Sequence, residues 1–130
     1  MKGDMDRKHI IEKRWKSGGL DCVVLIHPFG HRCGYVGIPK THKLYKSNYE
    51  SAPLNVHGGV TFGGGGKGSE YPIKSELWWF GFDCNHWGMD KPDPKFTPPE
   101  YSSQKRTGKV RTLAYCIKEC NNMAKQLTKL

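Results

Sequence analysis

Apolar positions recur at intervals of three and four only at the C-terminal end of the chain. There Leu113, Cys116, Ile117, Cys120, Ala124 and Leu127 predict an amphipathic helix over 111–130, with Thr112 as its N-cap. Elsewhere the pattern is that of strands. Residues 20–26, LDCVVLI, read as a buried strand, and His27-Pro28-Phe29-Gly30 as a turn. Residues 31–39 then form a hairpin with that strand. Alternation places His31, Cys33, Tyr35 and Gly37 on one face of it, and Arg32 and Val36 on the other. A third strand is expected over 54–62, interrupted at Gly58-Gly59, and an aromatic strand begins at Trp78.

Between these runs the chain is irregular. Residues 41–49 suit one or two helical turns ended by Pro53, and the run GGGGKG at 63–68 reads as an exposed hairpin loop. It lacks the spacing of a phosphate-binding P-loop. Pro92, Pro94, Pro98 and Pro99 make 89–109 a long loop of the kind that forms lids and binding walls. The N-terminal 1–19 fits a basic arm or a short helix carrying Ile10, Ile11 and Trp15, closed by Gly18-Gly19. The remainder, 20–130, is expected to be one loop-rich α+β domain, a single antiparallel sheet covered by the C-terminal helix.

With 130 residues the chain has room for one ordinary core. The formal charge of +9 favours anionic partners such as nucleotides, phosphates or polyanions. No motif of a nucleic-acid-binding module accompanies it, so a nucleic-acid partner is compatible with the charge and required by nothing else. Five cysteines, an odd number, with no signal peptide and no apolar span of membrane length, suit a reducing cytoplasm and free thiols. Cys116 and Cys120 are then small apolar residues of a helix face.

Candidate chemistry is concentrated in 78–90, WWFGFDCNHWGMD. An aromatic strand there runs into a carboxylate, a thiol, an amide and an imidazole. Three chemistries are compatible with it. In the first, a nucleotide-like ligand stacks on Trp78, Trp79, Phe82 or Trp87 and Arg32 holds its phosphates. Asp83, Asn85, His57, His86 and the Gly58-Gly59 backbone read its polar edges. In the second, His57, Asp83 and His86 act as general acids and bases of a hydrolase, with Cys84 as a nucleophile. In the third, His31, Cys33, Cys84 and His86 hold a zinc ion, although the usual ligand spacing is absent. Each has a plain counterpart: aromatic residues in a core, Arg32 as a structural donor, histidines bonded to carbonyls.

The blocks GHRCGYVGIP (30–39), VHGGVTF (56–62) and WWFGFDCNHWGMD resemble a family of small proteins encoded by bacteriophages and prophages. In that family the blocks read approximately GHxCGYVGxP, HGGxT and WWxGFDCxHxGD. The resemblance covers most of the chain after Leu20 and implies a phage context, the cytoplasm of an infected host, and no assigned reaction. In that context a nucleotide pocket would serve anti-defence. It would sequester an ADP-ribose derivative or a cyclic dinucleotide that signals infection, and the alternative is interaction with a host protein. The chain departs from the family pattern at Trp87-Gly88-Met89-Asp90, so Asp90 is not carried over as a site residue.

Overall fold

The structure, a computed structural model, describes residues 8–101 and 105–130. Strands β1 (Ile10–Ser17), β2 (Leu20–Ile26), β3 (Arg32–Ile38), β4 (Phe62–Gly65) and β5 (Trp78–Asp83) form one antiparallel sheet in the order β1-β2-β3-β5-β4. A short parallel pair, β6 (Asp90–Lys91) with β7 (Lys109–Val110), closes the long loop at its two ends. Helix α1 (Leu113–Thr128) lies across β1, β2 and β3. This is the α+β architecture, a single main sheet with a C-terminal helix, that the residue pattern predicts. Among the described residues no helix is long and apolar enough to cross a membrane.

Both faces of the sheet are buried, which is why its central strands are apolar almost without interruption. On one face Cys22, Val24, Val36, Ile38, Phe80 and Phe82 meet Cys116, Cys120, Met123, Ala124 and Leu127 of α1. On the other face Val23, Leu25, Cys33, Tyr35 and Trp79 pack under Ile73, Tyr71 and Leu77 of the β4–β5 connection. Successive residues therefore serve opposite cores, as the period-two geometry of a strand demands. Each large aliphatic or aromatic side chain buried this way contributes about 1.5–3 kcal/mol. Thr112 caps α1, its Oγ1 accepting from the Tyr115 amide at 3.1 Å.

Three expectations are corrected. The segment read as a basic arm or short helix is, from Ile10 to Ser17, an edge strand; residues 1–7 lie outside the described residues. The Gly18-Gly19 turn pairs Ser17 with Leu20, and Trp15 reaches α1, its Nε1 donating to Asn121 Oδ1 at 2.8 Å. Ile10 and Ile11 are exposed together instead of sharing a buried helical face.

The strand expected over 54–62 is irregular until Phe62. Its Asn55 and His57 backbone groups bond to side chains of α1: the Asn55 amide donates to Gln126 Oε1, Gln126 Nε2 returns to the Asn55 carbonyl, and the His57 amide donates to Glu119 Oε1. The glycine run read as an exposed hairpin loop supplies β4, which pairs with β5 from Phe62 opposite Gly81 to Gly65 opposite Trp78.

Candidate functional site

The end of β5 and the loop after it carry two arrangements back to back. The first is centred on Asp90, which β6 places in the interior with no exposed surface. Its Oδ2 accepts from His57 Nε2 at 2.9 Å and from the His86 amide at 3.1 Å, and its Oδ1 accepts from Arg111 Nε at 2.7 Å. Burial alone would raise its pKa, but the hydrogen bonds from His57, Arg111 and the His86 backbone outweigh that and hold the carboxyl below its ordinary value. An ionised Asp90 can only accept, so His57 Nε2 carries the proton. In the neutral ring Nδ1 then accepts from the Tyr115 hydroxyl at 2.7 Å. Arg111, Tyr115 and Glu119 stand four residues apart on one face of α1 and its entry, and all three serve this cluster.

Asp83 and His86 flank the cluster. Asp83 Oδ1 accepts from the Asn85 amide at 3.0 Å and lies 3.7 Å from His86 Nε2, while Oδ2 accepts from Thr61 Oγ1. The His86 ring rests against Gly58, with its centroid 5.9 Å from that of His57. Gly58 and Gly59 are exposed and have φ of +66° and +85°. His57 and Asp90 belong to the interior and Asp83 and His86 to its margin, so the group works first as a clasp. It ties the 55–58 segment, the 83–90 turn and the start of α1 together.

The second arrangement is a cavity of about 410 Å³ on the other side of the 85–91 segment. Phe29, Trp87, Tyr101, Pro92 and Pro94 give it apolar walls, and Asn85, Thr97, Lys91 and Arg106 are its polar groups. No Asp or Glu is among the described residues that line it. The Arg106 guanidinium lies 3.9 Å from the centroid of the Trp87 ring, a cation–π contact that fixes both side chains. Arg106 also donates to Asn85 Oδ1 at 2.9 Å and to the Asp90 carbonyl at 3.1 Å. Phe29 enters from the β2–β3 turn, where its amide donates to His27 Nδ1 at 3.0 Å.

Arg32, expected to hold phosphates, instead fastens the cavity wall. Its guanidinium is buried and donates to both oxygens of Glu12 (2.7 and 2.9 Å), to Asp93 Oδ2 (3.2 Å) and to the Arg111 carbonyl (3.1 Å). Asp93 in turn organises the wall: its backbone and side-chain oxygens accept from the amides of Lys95 and Phe96 and from Thr97 Oγ1. A side chain so occupied has no donor fork to turn toward a ligand.

Of the other expected site residues, Trp78 packs against the helix-side core near Tyr45, and Trp79 is fully buried. Asn85 and Trp87 line the cavity; His57, Gly58, Gly59, Asp83 and His86 do not. The four proposed zinc ligands do not converge. Cys33 faces the core opposite α1, Cys84 Sγ lies 3.7 Å from Cys116 Sγ, His31 stacks on His27 at 4.3 Å, and His86 rests on Gly58. Among the described residues no group of three or more His, Cys, Asp or Glu could hold a metal ion. Burial raises the thiols of Cys22 and Cys33 to about 12 and that of Cys120 well above its ordinary range, and the hydrogen bond with Cys116, with burial added to it, raises that of Cys84 as well. Cys84 is therefore a poor nucleophile.

Sequence reasoning missed Asp90, Arg111, Tyr115 and Arg106. The spacing of four between Arg111, Tyr115 and Glu119 was a usable signal for a polar helix face turned inward. Arg106 offered none, being one cation in an irregular loop. Comparison with protein-family models, curated proteins and solved structures finds no match for the chain.

Proposed function

We propose that the chain binds a nucleotide-derived small molecule in the cavity between Phe29, Trp87 and Tyr101, and that in a phage-infected cell it withholds such a molecule from host defence. One observation carries this reading: aromatic faces and two cations, Lys91 and Arg106, meet in a concave site lined by no carboxylate among the described residues. Base stacking on aromatic side chains contributes about 1–3 kcal/mol per base. Lys91 would hold a phosphate as a point charge. A volume of about 410 Å³ lies within the range of small-molecule sites, roughly 300–1,000 Å³. The excess positive charge of +9 would speed the approach of an anion. Hydrolysis by His57, Asp83 and His86 has weaker support, because none of the three lines the cavity.

The test is capture. Purified protein is mixed with mononucleotides, ADP-ribose derivatives and cyclic dinucleotides, and the filtrate is followed by mass spectrometry before and after heating. A compound that disappears and returns intact supports sequestration, and one that returns cleaved supports the hydrolytic reading. Capture unchanged in Trp87→Ala would place the ligand elsewhere, and a panel left entirely free would overturn the proposal in favour of a protein partner.

A further inference from the structure

We propose that the rim of this cavity is a binding surface for single-stranded nucleic acid, so that the nucleotide in the cavity is one unit of a strand; the inference rests on the nucleotide reading above. Its first support is the placement of the aromatic side chains. Trp87 is 67% exposed and Phe29 41%, although both also line the cavity. A free nucleotide needs only the surface inside the cavity. Arg106 covers one face of Trp87 at 3.9 Å, and the remaining exposed surface of the ring is the platform for a neighbouring base.

The second support is the sidedness of charge along the same segment. Its carboxylates Asp90 and Asp93 are turned inward onto Arg111 and Arg32. Its lysines are not: Lys95 and Lys109 are exposed and Lys91 stands at the cavity, while Arg106 is held to Asn85 and the Asp90 carbonyl. Lys109 is not part of the cavity lining and pairs with Asp90, the neighbour of the lining residue Lys91, and is the cation assigned to a phosphate beyond the bound unit. Glu100 is the exposed carboxylate of this wall, so the rim keeps a clear positive excess. Cations bordering an exposed ring recognise a backbone of phosphates with unstacked bases, whatever their sequence. A duplex has the same phosphates but keeps its base faces covered. Preference for single strands therefore separates this surface from mere positive charge.

The experiment is fluorescence anisotropy with a labelled oligothymidylate, the matching duplex, labelled heparin and a labelled thymidine nucleotide. The single strand is expected to bind more tightly than the duplex. Trp87→Ala is expected to weaken strand binding about tenfold and leave heparin binding unchanged. Lys109→Ala is expected to reduce the slope of log K against log salt by about one. Equal affinity for strand and duplex, or a Trp87→Ala loss shared by heparin, would overturn the inference. If the mononucleotide binds as tightly as the strand and Lys109→Ala changes neither, the strand surface falls while the nucleotide reading survives. If neither nucleotide nor strand binds, both fall.

Discussion

Gly58 and His86 are fitted to one another: a Cβ at position 58 would overlap the His86 imidazole, and the φ of +66° at Gly58 is one that residues with a side chain rarely adopt. Gly58→Ala must therefore meet two costs. Backbone strain of this kind is about 1–3 kcal/mol, and displacement of the ring adds to it. Chemical denaturation should show a loss larger than the strain alone, and a double-mutant cycle separates the two parts. In the His86→Ala background the ring is gone, so the glycine substitution should cost less than it does in the parent. Equal costs in the two backgrounds would mean that the contact carries no energy.

Asp90 accepts hydrogen bonds from His57, Arg111 and a backbone amide in a place water does not reach. Asp90→Ala leaves a buried imidazole and a guanidinium without their acceptor, and losses of about 3–5 kcal/mol are usual when one partner of such a pair is removed. His57→Ala should also destabilise, since it strips Asp90 and Tyr115 of a shared partner. The urea midpoint should fall in both variants with an unchanged m-value. A midpoint within experimental error of the parent in either would show that the cluster is not a clasp and would restore His57 as a dispensable site residue.

Much of the fold was legible because it is local. The helix follows from apolar positions at intervals of three and four capped by Thr112, and β2, β3 and β5 from short apolar runs between turns. What failed depended on distant partners. Ile10, Ile11 and Trp15 suited a helix until the Gly18-Gly19 turn returned the chain along β2. The 54–61 segment has strand-like residues, but Gln126 and Glu119 take the backbone groups of Asn55 and His57 that a strand would offer its neighbour. At the site the sequence did not show how the candidate residues divide between the interior and the cavity. Sequence spacing could not tell that Asn85 and Trp87 face a cavity while His57, Asp83 and His86 face away from it. Arg32 looked like a phosphate ligand because Glu12 and Asp93 stand twenty and sixty-one residues from it.

Acid should loosen the wall that carries Phe29. His27 stacks on His31 with ring centroids 4.3 Å apart, and His9 meets His27 edge-on at 4.9 Å. Burial lowers the pKa of all three. His31, pressed further by His27 and only partly relieved by Asp83, is pushed down to about 3. With folded-state values below the ordinary 6.5, the three imidazoles are neutral in both the folded and the unfolded chain at higher pH, and their contribution to stability is complete there. Below 6.5 the unfolded chain takes up protons that the folded one resists, so stability falls, for His31 until about 3. Asp90, held low, acts in the same direction at the acid end. The limiting slope is about 1.4 kcal/mol per pH unit for His31. Urea midpoints at pH 7.5 and 5 should differ, His31→Phe should reduce the difference, and a flat profile between those values would refute the account.

Arg32 and Trp87 border the same cavity wall in different capacities, and their substitution should separate stability from binding. Arg32→Met leaves Glu12 and Asp93, each largely buried, without their cation, and removes the fastening of the loop that holds Pro92, Pro94 and Thr97 in place. A loss of about 3–5 kcal/mol is expected, together with weaker ligand capture, because the wall is no longer held to the sheet. Trp87→Ala removes an exposed ring, so stability should stay within about 0.5 kcal/mol of the parent while capture falls. Had Arg32 been a phosphate ligand, the pattern would be the reverse: a stable Arg32→Met protein with impaired capture. Denaturation midpoints and nucleotide capture measured on both variants decide between the two, since only a fastening makes Arg32 costly to the fold.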